Sequence, residues 1–324
     1  MRHTQSIALL LLTGALAAAS GASAQDSAGR PLTLVVGAAP AGLTDLLARA
    51  IGPSLSRALK QPVVVSNRAG AGGAVGAAAV AQAAPDGNIL LVAISSFATL
   101  PEQEIINNRP PLFRFSELAP VAGISTEPMM LVVRPDSPLR TLKDVIDAAK
   151  KRAGAVSYSS TGVYGTYHVA IEMLAHEAGI KLLAVHYKGG GDAMRALLGG
   201  EVEMSLVSRS VGIAQIRGGA LRPVVSWSQQ RWEQFPDVPS LKDEGFALGY
   251  DLVTGFFAPA ATPAAQLQNL RNAVRAAVAD SQFRGTMEKM SAQITYYDAP
   301  EFGALWERES ARLNGVVRRI GRLE

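Results

Sequence analysis

From Leu32 onward, short runs of Val, Ile and Leu alternate with stretches whose apolar residues recur at helical spacing. "PLTLVV" (Pro31 to Val36) reads as a strand, "LLARAIGPSLSRALK" as a helix and "QPVVVSN" as the next strand. An alanine-rich helix follows "NRAGAGG", and "ILLVAISS" is a third strand, entered through the turn Pro85-Asp86-Gly87-Asn88. A β-α-β-α-β order demands parallel strands with helices covering both faces. Beyond Val121 the alternation restarts. The run "MMLVVRPDSP" is extended, Thr141 caps a helix, and "AVSYSS", "YHVAIEMLAHEAG", "LLAVHYKG", "AMRALLGG", "EVEMSLVS" and "ALRPVVSWS" repeat the pattern. The run "LVTGFFAP" is extended again, Pro263 opens another helix, and a helix around Phe302 to Ile320 closes the chain.

This order predicts an α/β protein of two doubly wound lobes joined by two crossover strands. Residues 30–126 with 252–324 form lobe 1, and residues 127–251 form lobe 2, inserted into it. The extended crossings fall near 127–133 and 251–258. Two strands between lobes make a hinge, and the gap between the lobes makes a cleft.

The chain has no cysteine, which excludes disulfides, thiolate metal sites and a cysteine nucleophile. Stability at this length must come from core burial. Arg2, the apolar run Ile7 to Ala19 and the small residues Ala22-Ser23-Ala24 form a cleavable export signal over residues 1–24. The run is shorter than the roughly 20 residues a spanning helix needs. The expected location is therefore the periplasm. The formal net charge is +4, and the basic residues form no aromatic-interleaved stripe, so no nucleic-acid partner is expected. A mildly basic surface suits a small anion. The chain is expected to act as a monomer.

The glycine loop before the alanine-rich helix is not a nucleotide site. Its glycines at 70, 72, 73 and 76 miss the dinucleotide spacing, the following strand ends in Ser95-Ser96 without a carboxylate, and no Gly-Lys-Ser/Thr follows. These glycines let the helix pack closely on the sheet. No cofactor and no metal cluster is indicated.

Ligands of open parallel sheets sit beyond the carboxyl ends of the strands. After the first strand, Ala41, Gly42, Leu43, Thr44 and Asp45 stand where a helix begins, and the Gly42 to Thr44 amides suit a carboxylate. Thr44 or Asp45 as a plain helix cap is the alternative. Ser95 and Ser96 close the third strand. In lobe 2, Ser160 and Thr161 end a strand, Gly165 and Thr166 open the next helix, and His168 follows. Lys188 is the one clear cation at a strand end, and Ser208 closes a further strand. Each bond to a charged carboxylate contributes about 1.5–3 kcal/mol, and micromolar affinity needs about 8 kcal/mol, so both lobes must share the ligand. An exported hydrolase pairing Ser159 or Ser160 with His168 is the enzymatic alternative. No G-x-S-x-G or H-E-x-x-H supports it.

The segments "LTLVVGAAPAGLTDLLAR", "QPVVVSNRAGAGGAVGAAAVAQAAPDG", "GTYHVAIEML", "VHYKGGGDAMRALLGGEVEM" and "RWEQFPDVPSLKDEGF" together resemble the Bug family, receptors similar to TctC of tripartite tricarboxylate transporters. The likeness runs through essentially the whole chain after the signal. It implies a type II periplasmic-binding-protein fold, a small organic acid ligand without catalysis, and delivery to the permease subunits of a membrane transporter, or sensing through a signalling partner. It also implies ligand contacts at Gly42, Leu43, Thr44 and Asp45 and at Thr161, Gly165, Thr166 and His168. Gly37-Ala38-Ala39-Pro40-Ala41-Gly42 departs from the family's Pro-Phe-x-Pro-Gly-Gly, removing an aromatic wall and one glycine. Ser66 and Ala69 depart from its "ENRPGAGG", and Val253 replaces a common tryptophan. Such a pocket is expected to take a bulkier acid.

Overall fold

The computed structural model describes residues 30–322; the expected export signal lies outside them. Ten strands are β1 (Leu32–Val36), β2 (Val63–Asn67), β3 (Ile89–Ile94), β4 (Leu118–Glu127), β5 (Met129–Val133), β6 (Ser157–Ser160), β7 (Leu183–His186), β8 (Met204–Ser208), β9 (Arg222–Ser226) and β10 (Leu252–Pro259). They form two five-stranded sheets, ordered β2-β1-β3-β10-β4 and β7-β6-β8-β5-β9. In the first, β1 is parallel to β2 and β3, and β10 is antiparallel to β3 and β4. In the second, β6 is parallel to β7 and β8, and β5 is antiparallel to β8 and β9.

Helices cover both sheets: α1 (Leu43–Leu59), α2 (Ala74–Ala81), α3 (Leu100–Ile106), α4 (Leu142–Lys151), α5 (Thr166–Ala178), α6 (Gly190–Leu198), α7 (Arg209–Arg217), α8 (Ala264–Ala279), α9 (Ser281–Lys289) and α10 (Ala299–Ile320). Central strands are buried on both faces, which is why β1 and β3 read as continuous apolar runs. Leu32, Leu34, Val35 and Val36 are all fully buried. Each such side chain contributes about 1.5–3 kcal/mol of burial.

The glycines before the alanine-rich helix have a packing role and a second one. A Cβ at Gly76 would lie 2.9 Å from the Gly37 Cα, so α2 can approach β1 only with glycine there. Gly72 and Gly73 instead face the space between the lobes.

The crossings are shorter than the sequence patterning suggests. All of β5 belongs to the second sheet and all of β10 to the first, because each finds ladder partners for its backbone groups there. The chain passes outward at Pro128 and returns at Asp251. Beside them, fully buried Glu127 accepts from Ser210 N at 3.0 Å and Ser210 Oγ at 2.7 Å, tying the first crossing to the start of α7. Burial raises the pKa of this carboxyl above its ordinary value, against the lowering effect of the Ser210 bonds.

The two lobes meet directly. Thr166 Oγ1 donates to Ser96 Oγ at 2.6 Å, Gln103 Nε2 to Tyr164 O at 3.3 Å, and Ala39 N to Lys188 O at 3.4 Å. Helix α10 packs Phe302 and Trp306 on Phe257 of the first sheet, and its end receives the Tyr164 hydroxyl at Gly321 O, 2.8 Å. The protein is in a closed form.

Candidate functional site

Helices α1, α5 and α6 begin at the cleft, and none is capped by its own side chain. Gly42, Gly165 and Gly189 are the N-cap residues of α1, α5 and α6 and have no side chain to close their own helices, although in α5 the Tyr167 N–H donates to Thr161 Oγ1 at 3.4 Å. By contrast α4, α9 and α10 are capped by Thr141, Asp280 and Asp298. The first-turn N–H groups of a helix lack intrahelical acceptors and carry the positive end of its dipole. Glycine at the cap leaves them open to a ligand. The cleft between them encloses about 580 Å³, a size suited to a small organic molecule.

Eight of the expected contacts line this cleft: Gly42, Leu43, Thr44, Ser96, Thr161, Gly165, Thr166 and Lys188. Thr44 and Thr166 are buried within it. The Lys188 ammonium has no ion-pair partner among the described residues, which leaves a full positive charge at the cleft edge.

The other six expected contacts, Ala41, Asp45, Ser95, Ser160, His168 and Ser208, are not among the residues lining the cleft, and their partners lie within the protein or are lacking. Asp45 is buried and accepts from Ala41 N at 2.9 Å, from Asn67 Nδ2 at 3.0 Å and from Arg49 Nε at 3.1 Å. It braces the cleft loop. Burial pushes the Asp45 carboxyl up, but the bonds from Arg49, Ala41 and Asn67 outweigh this and hold it below the ordinary value. Ala41 spends its amide on that brace and adopts φ 64°, a left-handed conformation unusual outside glycine. Ser95 Oγ donates to Tyr250 OH at 3.4 Å beneath the floor. Ser208 is buried at the end of β8, with its hydroxyl unpartnered and away from the cleft wall.

Ser160 and His168 are separated by strand register. β6 and β7 pair Ser160 with His186, whose Nδ1 lies 2.6 Å from Ser160 Oγ. His168 Nδ1 instead accepts the Tyr164 N–H at 2.8 Å. Burial, together with the nearby His186 ring, pushes the His168 pKa down to about 3, so its ring is neutral with the proton on Nε2. Ser160 is fully buried and bonds with both backbone groups of Gly162, and Ser159 bonds to Ser205 at 2.7 Å. Neither serine is an accessible nucleophile.

Sequence reasoning missed one wall of the cleft. Gln103, Glu104, Asn107 and Arg109, around the end of α3, line it opposite the second lobe. Glu104 holds the Arg109 Nε at 2.6 Å. The stretch "EQEIINNRP" shows the acidic residue five places before the arginine, but no local pattern places the pair at the cleft. Tyr164, Tyr167 and Tyr187 complete the opposite wall.

Two α/β lobes joined at two short crossings, with glycine-capped helix starts converging between them, define a solute-binding receptor of the periplasmic type. Residues 47–322 match the tripartite tricarboxylate transporter family receptor, TctC, and the chain belongs to that family. It is 34% identical over 242 residues to Protein BugT of Bordetella pertussis, which spans 74% of each chain. Its structure is similar to that of the periplasmic binding protein BugD, with a TM-score of 0.83, 27% identity and coverage of 90% of this chain and 97% of that one. It is likewise similar to MatC from Rhodopseudomonas palustris solved with bound malate, with a TM-score of 0.81, 26% identity and coverage of 89% and 99%. The family and these neighbours are binding receptors, not enzymes, and the family's receptors take small carboxylates and serve tripartite transporters.

Proposed function

We propose that this chain is exported, loses its signal near Ala24, captures one small organic carboxylate between its lobes as a monomer, and hands it to the permease subunits of a tripartite transporter. Residues 30–126 with 252–324 move as one lobe against 127–251. The observation that carries this reading is the convergence of three uncapped helix starts on one cleft, with Lys188 at its edge. A carboxylate supplies acceptors to the first-turn N–H groups that lack one, and the helix dipoles favour its charge. Neither lobe holds all the donors, so binding and closure are one event.

Ala38 presents only a methyl group to the cavity, which leaves room for an acid larger than succinate. The test is a thermal-shift and calorimetric panel of malate, succinate, adipate, citrate and benzoate, followed by small-angle scattering with the best ligand. The expected result is a raised Tm, a smaller radius of gyration and a larger acid ranked above succinate. No shift with any acid refutes the receptor reading for this ligand class. Succinate ranked first refutes only the size argument.

A further inference from the structure

A second cavity of about 600 Å³, as large as the cleft, lies on the far side of His186. His186 lines both spaces. One wall is a face of α5, where His168, Glu172 and His176 recur every four residues and so stack on one side of the helix. The opposite wall is the end of α10, the helix whose body packs on the first sheet. Both lobes therefore contribute to it.

Its donors lack protein acceptors. His168 is only 2% exposed, its Nδ1 is taken by the Tyr164 N–H, and its protonated Nε2 has no acceptor among the described residues. His168 lines the cavity, and its Nε2 N–H is a donor available to an occupant with an acceptor. Lys181 and Arg319 line the same space, and neither has an ion-pair partner among the described residues. Glu172 is engaged by the Tyr158 hydroxyl at 3.0 Å, and burial holds it above the usual carboxylate range. Two free cations against one carboxyl leave room for a single negative charge. Met173, Leu182, Val316 and Ile320 supply apolar walls.

We infer that this cavity is a second binding site, for a monocarboxylate with an apolar body, and that its occupant favours the closed form by touching α5 and α10 together. The site also communicates with the cleft. His186 holds Ser160 at 2.6 Å, and Ser160 bonds to Gly162, whose loop lines the cleft. An acid seated against His186 thus stiffens the loop that presents Thr161 and Thr166. The site rests on its own residues and stands whichever acid the cleft prefers.

The probe is 4-bromobenzoate, located by bromine anomalous scattering in crystals of the protein. Binding is followed in solution by calorimetry, by ¹⁵N resonances of the histidine side chains and by small-angle scattering. The expected result is a bromine in the second cavity, a shifted His168 Nε2 resonance and a reduced radius of gyration. The double variant Lys181→Gln/Arg319→Gln, at exposed positions outside the cleft, should weaken this binding at least tenfold and abolish the His168 shift. A bromine confined to the cleft, or a His168 resonance unmoved at saturating probe, overturns the proposal. So does unchanged probe affinity in the double variant.

Discussion

Gly191 offers a direct test of whether the ligand is held by both lobes. It lies in the first turn of α6, and a Cβ built there would sit 3.0 Å from Pro40 O and 3.3 Å from the Ala41 carbonyl carbon, both across the cleft. Its backbone is not left-handed, so a side chain adds no local strain. Ordinary carbon–oxygen contact begins near about 3.4 Å, so alanine forces the lobes apart by a few tenths of an ångström. Leucine adds three further carbons in the same direction and wedges them open. A ligand then keeps the donors of only one lobe. Losing about three charge-assisted bonds at about 1.5 kcal/mol each amounts to about 4 to 5 kcal/mol, or roughly a thousandfold in Kd. Gly191→Leu should therefore bind the best carboxylate about a thousandfold more weakly and show no ligand-induced fall in radius of gyration. Gly191→Ala should lose less than about tenfold, the smaller part of the same loss. Unfolding of the ligand-free variants in urea should match the parent, because the open form keeps Gly191 away from Pro40. A leucine variant with Kd within about threefold of the parent and normal compaction would refute the two-lobe grip, since threefold is well under 1 kcal/mol.

Asp45→Ala should destabilise the protein by about 2 to 3 kcal/mol in urea unfolding, since Ala41 N and Asn67 lose a charged acceptor, while exposed Arg49 is rehydrated. It should also weaken ligand binding, because the braced loop carries Gly42 to Thr44. The Asp45 carboxyl titrates below its ordinary value when folded, so its stabilisation is complete above the unfolded pKa and lost as pH falls through the folded one. The destabilisation caused by Asp45→Ala should accordingly shrink in acid, and a pH-independent difference would count against the brace. Ala41→Gly should leave the protein equally stable or up to about 1 kcal/mol more stable, since relief of strain at φ 64° opposes the added freedom of the unfolded chain. A loss larger than about 1 kcal/mol would mean that the Ala41 methyl is a needed contact, contrary to the strain argument.

The alternation of apolar runs was enough to reveal both lobes because buried parallel strands and their covering helices each leave a short-range pattern. The helix starts were equally readable: a glycine followed by a helical run at 42–44 and at 165–166 marks free N–H groups without any tertiary knowledge. What sequence could not supply was register. Ser160 and His168 are near neighbours in the chain, yet the pairing of β6 with β7 joins Ser160 to His186, twenty-six residues on. Asp45 looked like a ligand contact because it opens a cleft helix. Ala41 and Arg49 are its local partners, but Asn67 comes within reach only when β2 lies beside β1. The α3 wall was missed for a similar reason, since nothing local shows that Glu104 and Arg109 face the other lobe.

The division of labour in the cleft follows from this geometry. On the proposed reading, peptide N–H groups at the helix starts grip the carboxylate, and they survive almost any side-chain substitution that keeps the glycine caps. Discrimination must then reside in the few side chains that project past them. Lys188 contributes an unpaired charge on one lobe, whereas Arg109 on the other is already neutralised by Glu104 at 2.6 Å. A second carboxylate on the ligand gains most if it reaches Lys188, and gains little at Arg109 unless Glu104 is displaced. The chain length between the two acidic groups of a ligand is thereby read against the distance from the helix starts to Lys188.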